Sequence, residues 1–243
     1  MTTAVLAGRC RESFLICATL TLWSSSIGKK IVMALTGTIM VGFVIVHVFG
    51  TLKIFKGEEI FNAYAHWMRN VGAPFLSSEL ALWINRLVLL GAVSLHMLAA
   101  WQLTQQSWAS RPTKYAEKES IEATYASRTM RWGGVVIALF VVFHILHFTV
   151  GVVGYEAGHF KSLSVYRNVV WGFSVWYVSA FYILAQFFLG LHLYHGTWSI
   201  LHTLGVATAW GDRAYRTVGA IIGLAVALGN TSVPVAVLVG LLK

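Results

Sequence analysis

The stretch IVMALTGTIMVGFVIVHVFGTL, residues 31–52, decides the fold. It runs without a charged residue between Lys29 and Lys30 on one side and Lys53 and Lys56 on the other. An α-helix rises 1.5 Å per residue, so about 20 apolar residues cross roughly 30 Å of hydrocarbon, and this stretch reads as a membrane span. Its last third holds His47. An ionisable side chain in hydrocarbon is costly, and its presence there marks a functional site.

Four more apolar runs follow, at about 81–105, 132–155, 171–204 and 215–242, giving five spans in one helical-bundle domain over 24–243. The second holds His96. The third contains FVVFHILHF, with His144 and His147, and leaves through the glycine-rich GVVGYEAGH. The fourth contains LGLHLYHGTW, with His192 and His195; it exceeds the bilayer's need and is expected to tilt or protrude. The fifth has Pro234 near one end and no histidine. Between the first two spans, GEEIFNAYAHWMRNVGAP spaces Phe61, Tyr64, Trp67 and Met68 as a short helix lying at the water interface.

Composition agrees with this reading, since 57% of the residues are hydrophobic and only 11% are charged. The formal charge of +9 does not point to nucleic acid, because the Lys and Arg residues sit between apolar runs, where they set orientation. With the N-terminus inside, the inner segments hold Arg9, Arg11, Lys29, Lys30, Arg111, Lys114, Lys118, Arg128, Arg131, Arg213 and Arg216. The outer segments hold Lys53, Lys56, Arg69, Arg86, Lys161, Arg167 and Lys243. The inner excess predicts an N-terminus inside and a C-terminus outside. Residues 1–23, with Arg9 and Arg11 before SFLICATLTLW, read as an amphipathic segment on the inner face; the apolar part is short for a signal peptide and no convincing cleavage site follows.

Four histidine-bearing spans suggest two bis-histidine metal sites. Antiparallel spans alternate direction, so His47 and His144, late in outward-running spans, belong to an outer layer. His96 and His192, past the middle of inward-running spans, belong to an inner one. One imidazole above and one below an iron is what a planar macrocycle needs, and a bundle core is a usual place for it. Cys10 and Cys17 precede the first span and no C-x-x-C-H motif occurs, so such a haem is non-covalent, of b type. Gly37, Gly42, Gly91, Gly133, Gly134, Gly190 and Gly196 either let a ring approach the backbone or pack helices closely. Residues three apart on a helix point about 60° from each other, which leaves open which member of each doublet faces a given iron. Zinc wants closely spaced ligands, often with Cys or carboxylate, and a proton channel wants buried acids.

SSIGKKIVMALTGTIMVGFVIVHVFGTL, FNAYAHWM, SLHMLAAW and LHLYHGTWS resemble the cytochrome b membrane-anchor subunit of succinate:quinone oxidoreductases and fumarate reductases, of the single-subunit, five-helix, two-haem type. The resemblance runs from Ser24 to about Asp212, with the order, spacing and context of the histidine-bearing spans; the last helix matches only in being apolar. It implies an all-α integral membrane fold, five transmembrane helices holding two stacked haems b, with short interfacial helices. It puts the iron ligands on His47, His96, His144 and His192, pairing His47 with His144 and His96 with His192. RWGGVVIALFVVFH carries the family's Arg and Gly before the third ligand, and His192, Gly196 and Trp198 match the fourth-span pattern. His147 and His195 are then extra. Some fumarate reductase relatives carry a glutamate two residues before the fourth ligand, linked to proton movement; this chain has Gly190 there.

The function implied is that of an electron-transfer and quinone-binding subunit in the bacterial cytoplasmic membrane, not itself catalytic for succinate. A flavoprotein subunit and an iron–sulfur subunit would dock on the cytoplasmic side, and menaquinone would be the electron acceptor or donor. A quinone needs a polar group able to exchange protons beside an apolar slot. Glu58, Glu59 and His66 are the outer candidates, and Ser26 and Lys30 the inner ones. The competing expectations are a haem b anchor for another dehydrogenase, such as a hydrogenase or formate dehydrogenase, and a histidine-based transporter.

Overall fold

The computed structural model describes residues 23–110, 125–155, 160, 164–205 and 211–243. The amphipathic reading of the first residues, the middle of the connection from Ser107 to Arg131 and part of the glycine-rich exit lie outside the described residues. Among the described residues the chain is all helix and turn. Helix α1 spans Ser26–Thr51 and runs on as a 3-10 turn, Leu52–Lys56. Helix α2 is Glu58–Arg69 and α3 is Leu80–Ala109. Helix α4, Tyr125–His144, opens into a π-helical turn over Ile145–Val150. Then come α5, Val165–Ser174, α6, Trp176–Thr203, and α7, Asp212–Leu238. Five helices are long and apolar enough to cross a bilayer, and the chain is a multi-pass membrane protein with these five candidate spans.

Helix α1 begins for a local reason. The Ser25 side chain accepts from the Gly28 backbone N–H at 2.9 Å and starts α1 well before the run at Ile31, which brings Ser26, Lys29 and Lys30 into its first turns. Large apolar side chains such as Phe49, Leu90, Leu139 and Leu228 point away from the protein. In water that would be a fault; in lipid it is the expected outer surface.

The fourth apolar run is not one helix. Val175 is extended, with φ −78 and ψ 103, and breaks the run into α5 and α6. The hydroxyl of Ser179 donates to the Phe173 carbonyl at 2.6 Å, satisfying a backbone acceptor that the break leaves without a helical partner. The break shortens the run, but α6 alone still has 28 residues, about 42 Å at 1.5 Å per residue against roughly 30 Å of hydrocarbon, so the expected excess length remains. Helix α5 lies against α2, where the Asn62 side chain accepts from the Tyr166 N–H at 3.0 Å and Arg167 pairs with Glu58 at 2.9 Å. Together α2 and α5 form a layer across one end of the bundle, and Ile54, Phe61, Tyr166 and Phe173 are buried beneath it.

Helices α6 and α7 form the tightest pair. A Cβ on Gly219 would stand 2.5 Å from the Tyr194 carbonyl oxygen, and one on Gly223 would stand 2.5 Å from that of Gly190. The spacing Gly219-x-x-x-Gly223 brings two backbones into direct contact. Pro234 lies inside α7 near its end, as its place in the sequence suggests.

Candidate haem-binding site

Helices α1 and α4 bring His47 and His144 together, with ring centroids 5.8 Å apart and planes at 89°. Helices α3 and α6 bring His96 and His192 together at 6.3 Å and 59°. An imidazole nitrogen sits about 2 Å from a bound first-row metal, so rings on opposite faces of one ion have centroids about 6 Å apart. Both pairs are at that separation. His47 is exposed and the other three are half-buried, so each pair presents imidazole surface that a planar group would cover.

The two layers are widely separated. Thr36 touches His96, and His47 lies eleven residues further along α1, about 16 Å at 1.5 Å per residue. Tyr182 touches His144, and His192 lies ten residues further along α6, about 15 Å.

Hydrogen bonding at His96 bears on its tautomer. The Thr36 hydroxyl donates to the Val32 carbonyl at 2.7 Å, which uses its single proton. Its oxygen is 3.2 Å from His96 Nδ1, and with that proton on the carbonyl it accepts there, so Nδ1 carries the hydrogen and Nε2 keeps the free lone pair. That is the form a metal ligand requires. His192 Nδ1 is buried with no hydrogen-bond partner in the described residues. Gly37 and Gly134 lie against the ring edges of His96 and His192, with Cβ positions 3.6 and 3.9 Å from their Cε1 atoms, and keep bulk away from the pair. The donor set and its spacing are those that a haem iron held between two imidazoles would need. Among the described residues no cluster of three or more His, Cys, Asp or Glu side chains is placed to hold a bare ion.

The remaining histidines do other things. His147 is fully buried, stacks on Phe148 with centroids 4.0 Å apart, and does not face His47. Its Nδ1 is 2.9 Å from the Tyr182 hydroxyl, while its Nε2 is walled in by Gly172 and Gly154 and has no partner in the described residues. Nearby, burial pushes the pKa of the Tyr155 hydroxyl above its usual range, so that group stays protonated. His195 packs on Trp198 at 5.4 Å. Trp198, His202 and Arg216 all donate to Asp212, which ties the end of α6 to the start of α7.

The quinone candidates do not converge. Glu58 is engaged by Arg167. Glu59 and His66 are exposed on α2, and Ser26 and Lys30 are exposed in the first turns of α1, at the other end of the bundle. Gly190 faces α7, its Cβ position 3.1 Å from the Ala227 Cβ and 3.2 Å from the Gly223 carbonyl oxygen, so a glutamate has no room there. Sequence reading missed Thr36 and Tyr182 as partners of the paired histidines. Their only signal is a hydroxyl inside an otherwise apolar run. Comparison with protein-family models, curated proteins and solved structures returned no match.

Proposed function

We propose that this chain is the cytochrome b membrane-anchor subunit of a succinate:quinone oxidoreductase. In this reading it carries electrons through two non-covalent haems b, between a cytoplasmic iron–sulfur subunit with its flavoprotein and menaquinone. The observation that supports it most is the presence of two imidazole pairs, each near 6 Å and about 15 Å apart along the helices, inside one apolar bundle. Bound between such pairs, haem supplies one-electron chemistry at an iron with no open position for oxygen.

The chain's own residues do the rest. The pairs divide the roughly 30 Å apolar barrier into two stages, and Thr36, accepting from His96 Nδ1–H, holds His96 in its ligating tautomer. The His96–His192 pair is assigned to the cytoplasmic side, where partners dock, and the His47–His144 pair to the outer side. Succinate is oxidised by the partner subunits. Menaquinone is expected at the α2 end, where Glu59 and His66 are exposed.

A visible redox spectrum of the purified protein with extracted haem quantified is expected to give two haems b per chain. One or none refutes the paired-site reading. Single cysteines placed at Lys118 and Lys161 in intact cells test the orientation. Only the second is expected to react with an impermeant thiol reagent; labelling at Lys118 alone inverts the assignment and exchanges the haem nearer the partners.

A further inference from the structure

Tyr182 is 5% exposed and sits in a box of aromatic rings, with Phe140 and Phe173 edge-on at 5.0 and 4.9 Å. Its hydroxyl meets two imidazoles, His144 Nδ1 at 3.2 Å and His147 Nδ1 at 2.9 Å. A phenol has one proton to give. With both imidazoles neutral, it donates to one nitrogen and accepts from the other.

Two arrangements satisfy this count. In the first, His147 Nδ1–H donates to Tyr182 and Tyr182 donates to His144 Nδ1. His144 then carries its one N–H hydrogen on Nε2, and that nitrogen cannot hold a metal. In the second, His144 Nδ1–H donates to Tyr182, Tyr182 donates to His147 Nδ1, and His144 Nε2 is left with its lone pair. His147 then carries its hydrogen on Nε2, the atom enclosed by Gly172 and Gly154 with no partner in the described residues. That nitrogen is unpaired in both arrangements, as a bare lone pair in the first and as an N–H in the second, so the count alone does not choose between them. A metal on His144 Nε2 selects the second.

We infer that Tyr182 is a positioning residue for the His47–His144 site. It orients the His144 ring, fixes its ligating tautomer, and makes it a more basic ligand by accepting from Nδ1–H, while His147 serves as the remote acceptor that completes the chain. This inference rests on the haem reading above. A more basic axial ligand favours the oxidised iron, so the hydrogen bond holds the potential of this site down.

The test is a potentiometric titration of the purified protein, with haem quantified in the same sample. The potential belonging to the His47–His144 site is identified as the one missing from His47→Ala. In Tyr182→Phe, which keeps the ring and its packing, that potential is expected to rise. The expected change is about tenfold in the oxidised-to-reduced ratio at a fixed ambient potential, which is about 59 mV for one electron, with the other site unmoved. His147→Leu leaves the hydroxyl in place but without its acceptor, and is expected to move the same potential upward by less. An unmoved or lowered potential in His147→Leu, or in a Tyr182→Phe protein that retains both haems, overturns the inference. Wild-type protein without haem overturns the haem reading instead, so the two failures are distinct.

Discussion

Replacing His47 or His144 with alanine is expected to reduce haem from two to one per chain and to stop succinate-dependent quinone reduction in the assembled complex. The residual haem should be the one held by His96 and His192, and replacing either of those should give the complementary loss. The two sites are separable because each pair is built from different helices, α1 with α4 and α3 with α6. Losing one imidazole would remove half of the donor set that would hold the haem at that pair. Expression is read beside each spectrum, because a missing group that spans two helices also weakens their packing. His147→Ala and His195→Ala are expected to keep both haems. If either loses one while His144→Ala or His192→Ala keeps it, the ligand assignment within that doublet is wrong.

Gly223→Val is expected to destabilise the bundle by about 3 kcal/mol or more, a fall of roughly 6–12 °C in thermal midpoint for a chain of this size. The first added carbon would meet the Gly190 carbonyl oxygen at 2.5 Å, and that atom is backbone, so no side-chain rotation relieves the clash. Gly219→Val meets the Tyr194 carbonyl oxygen in the same way. The damage should extend beyond stability, since α6 also carries His192 and Tyr182 and would be pushed away from α7. Gly91→Ala, where nothing stands within 4 Å of the new carbon, is the matched control and should be nearly neutral. Thermal unfolding in detergent, followed by loss of α-helical signal, decides it; equal midpoints for Gly223→Val and wild type would show that the α6–α7 contact is not a close backbone packing.

The spans were legible because membrane insertion is a local matter. A run such as residues 31–52 must satisfy its own backbone hydrogen bonds wherever it sits in lipid, so length and apolarity are enough to identify it. The short helix between the first two spans was legible from the period of Phe61, Tyr64, Trp67 and Met68, and it appears as α2. The fourth run misled because apolarity is blind to backbone direction. Nothing in VWGFSVWYVSA marks Val175 as the point where the chain turns, and the break is secured by contacts with α2 and by Ser179, which lie elsewhere in the chain or a turn away.

By itself the sequence determined that this is a five-span helical membrane protein with histidines at matched depths, because hydropathy and the 1.5 Å rise per residue act on each segment alone. Which imidazoles meet was decided by tertiary structure. His144 closes α4 and His147 lies in the π-helical turn after it, so the α-helical spacing does not set their directions; that turn and the packing of α4 against α1 and α6 turn the first toward His47 and the second into a closed pocket beside Gly172. The same holds for Tyr182, placed between the two by the packing of α6, and for the separation of about 15 Å between the layers. Rotation, register and proton position depend on what the neighbouring helix presents, and no single segment contains that information.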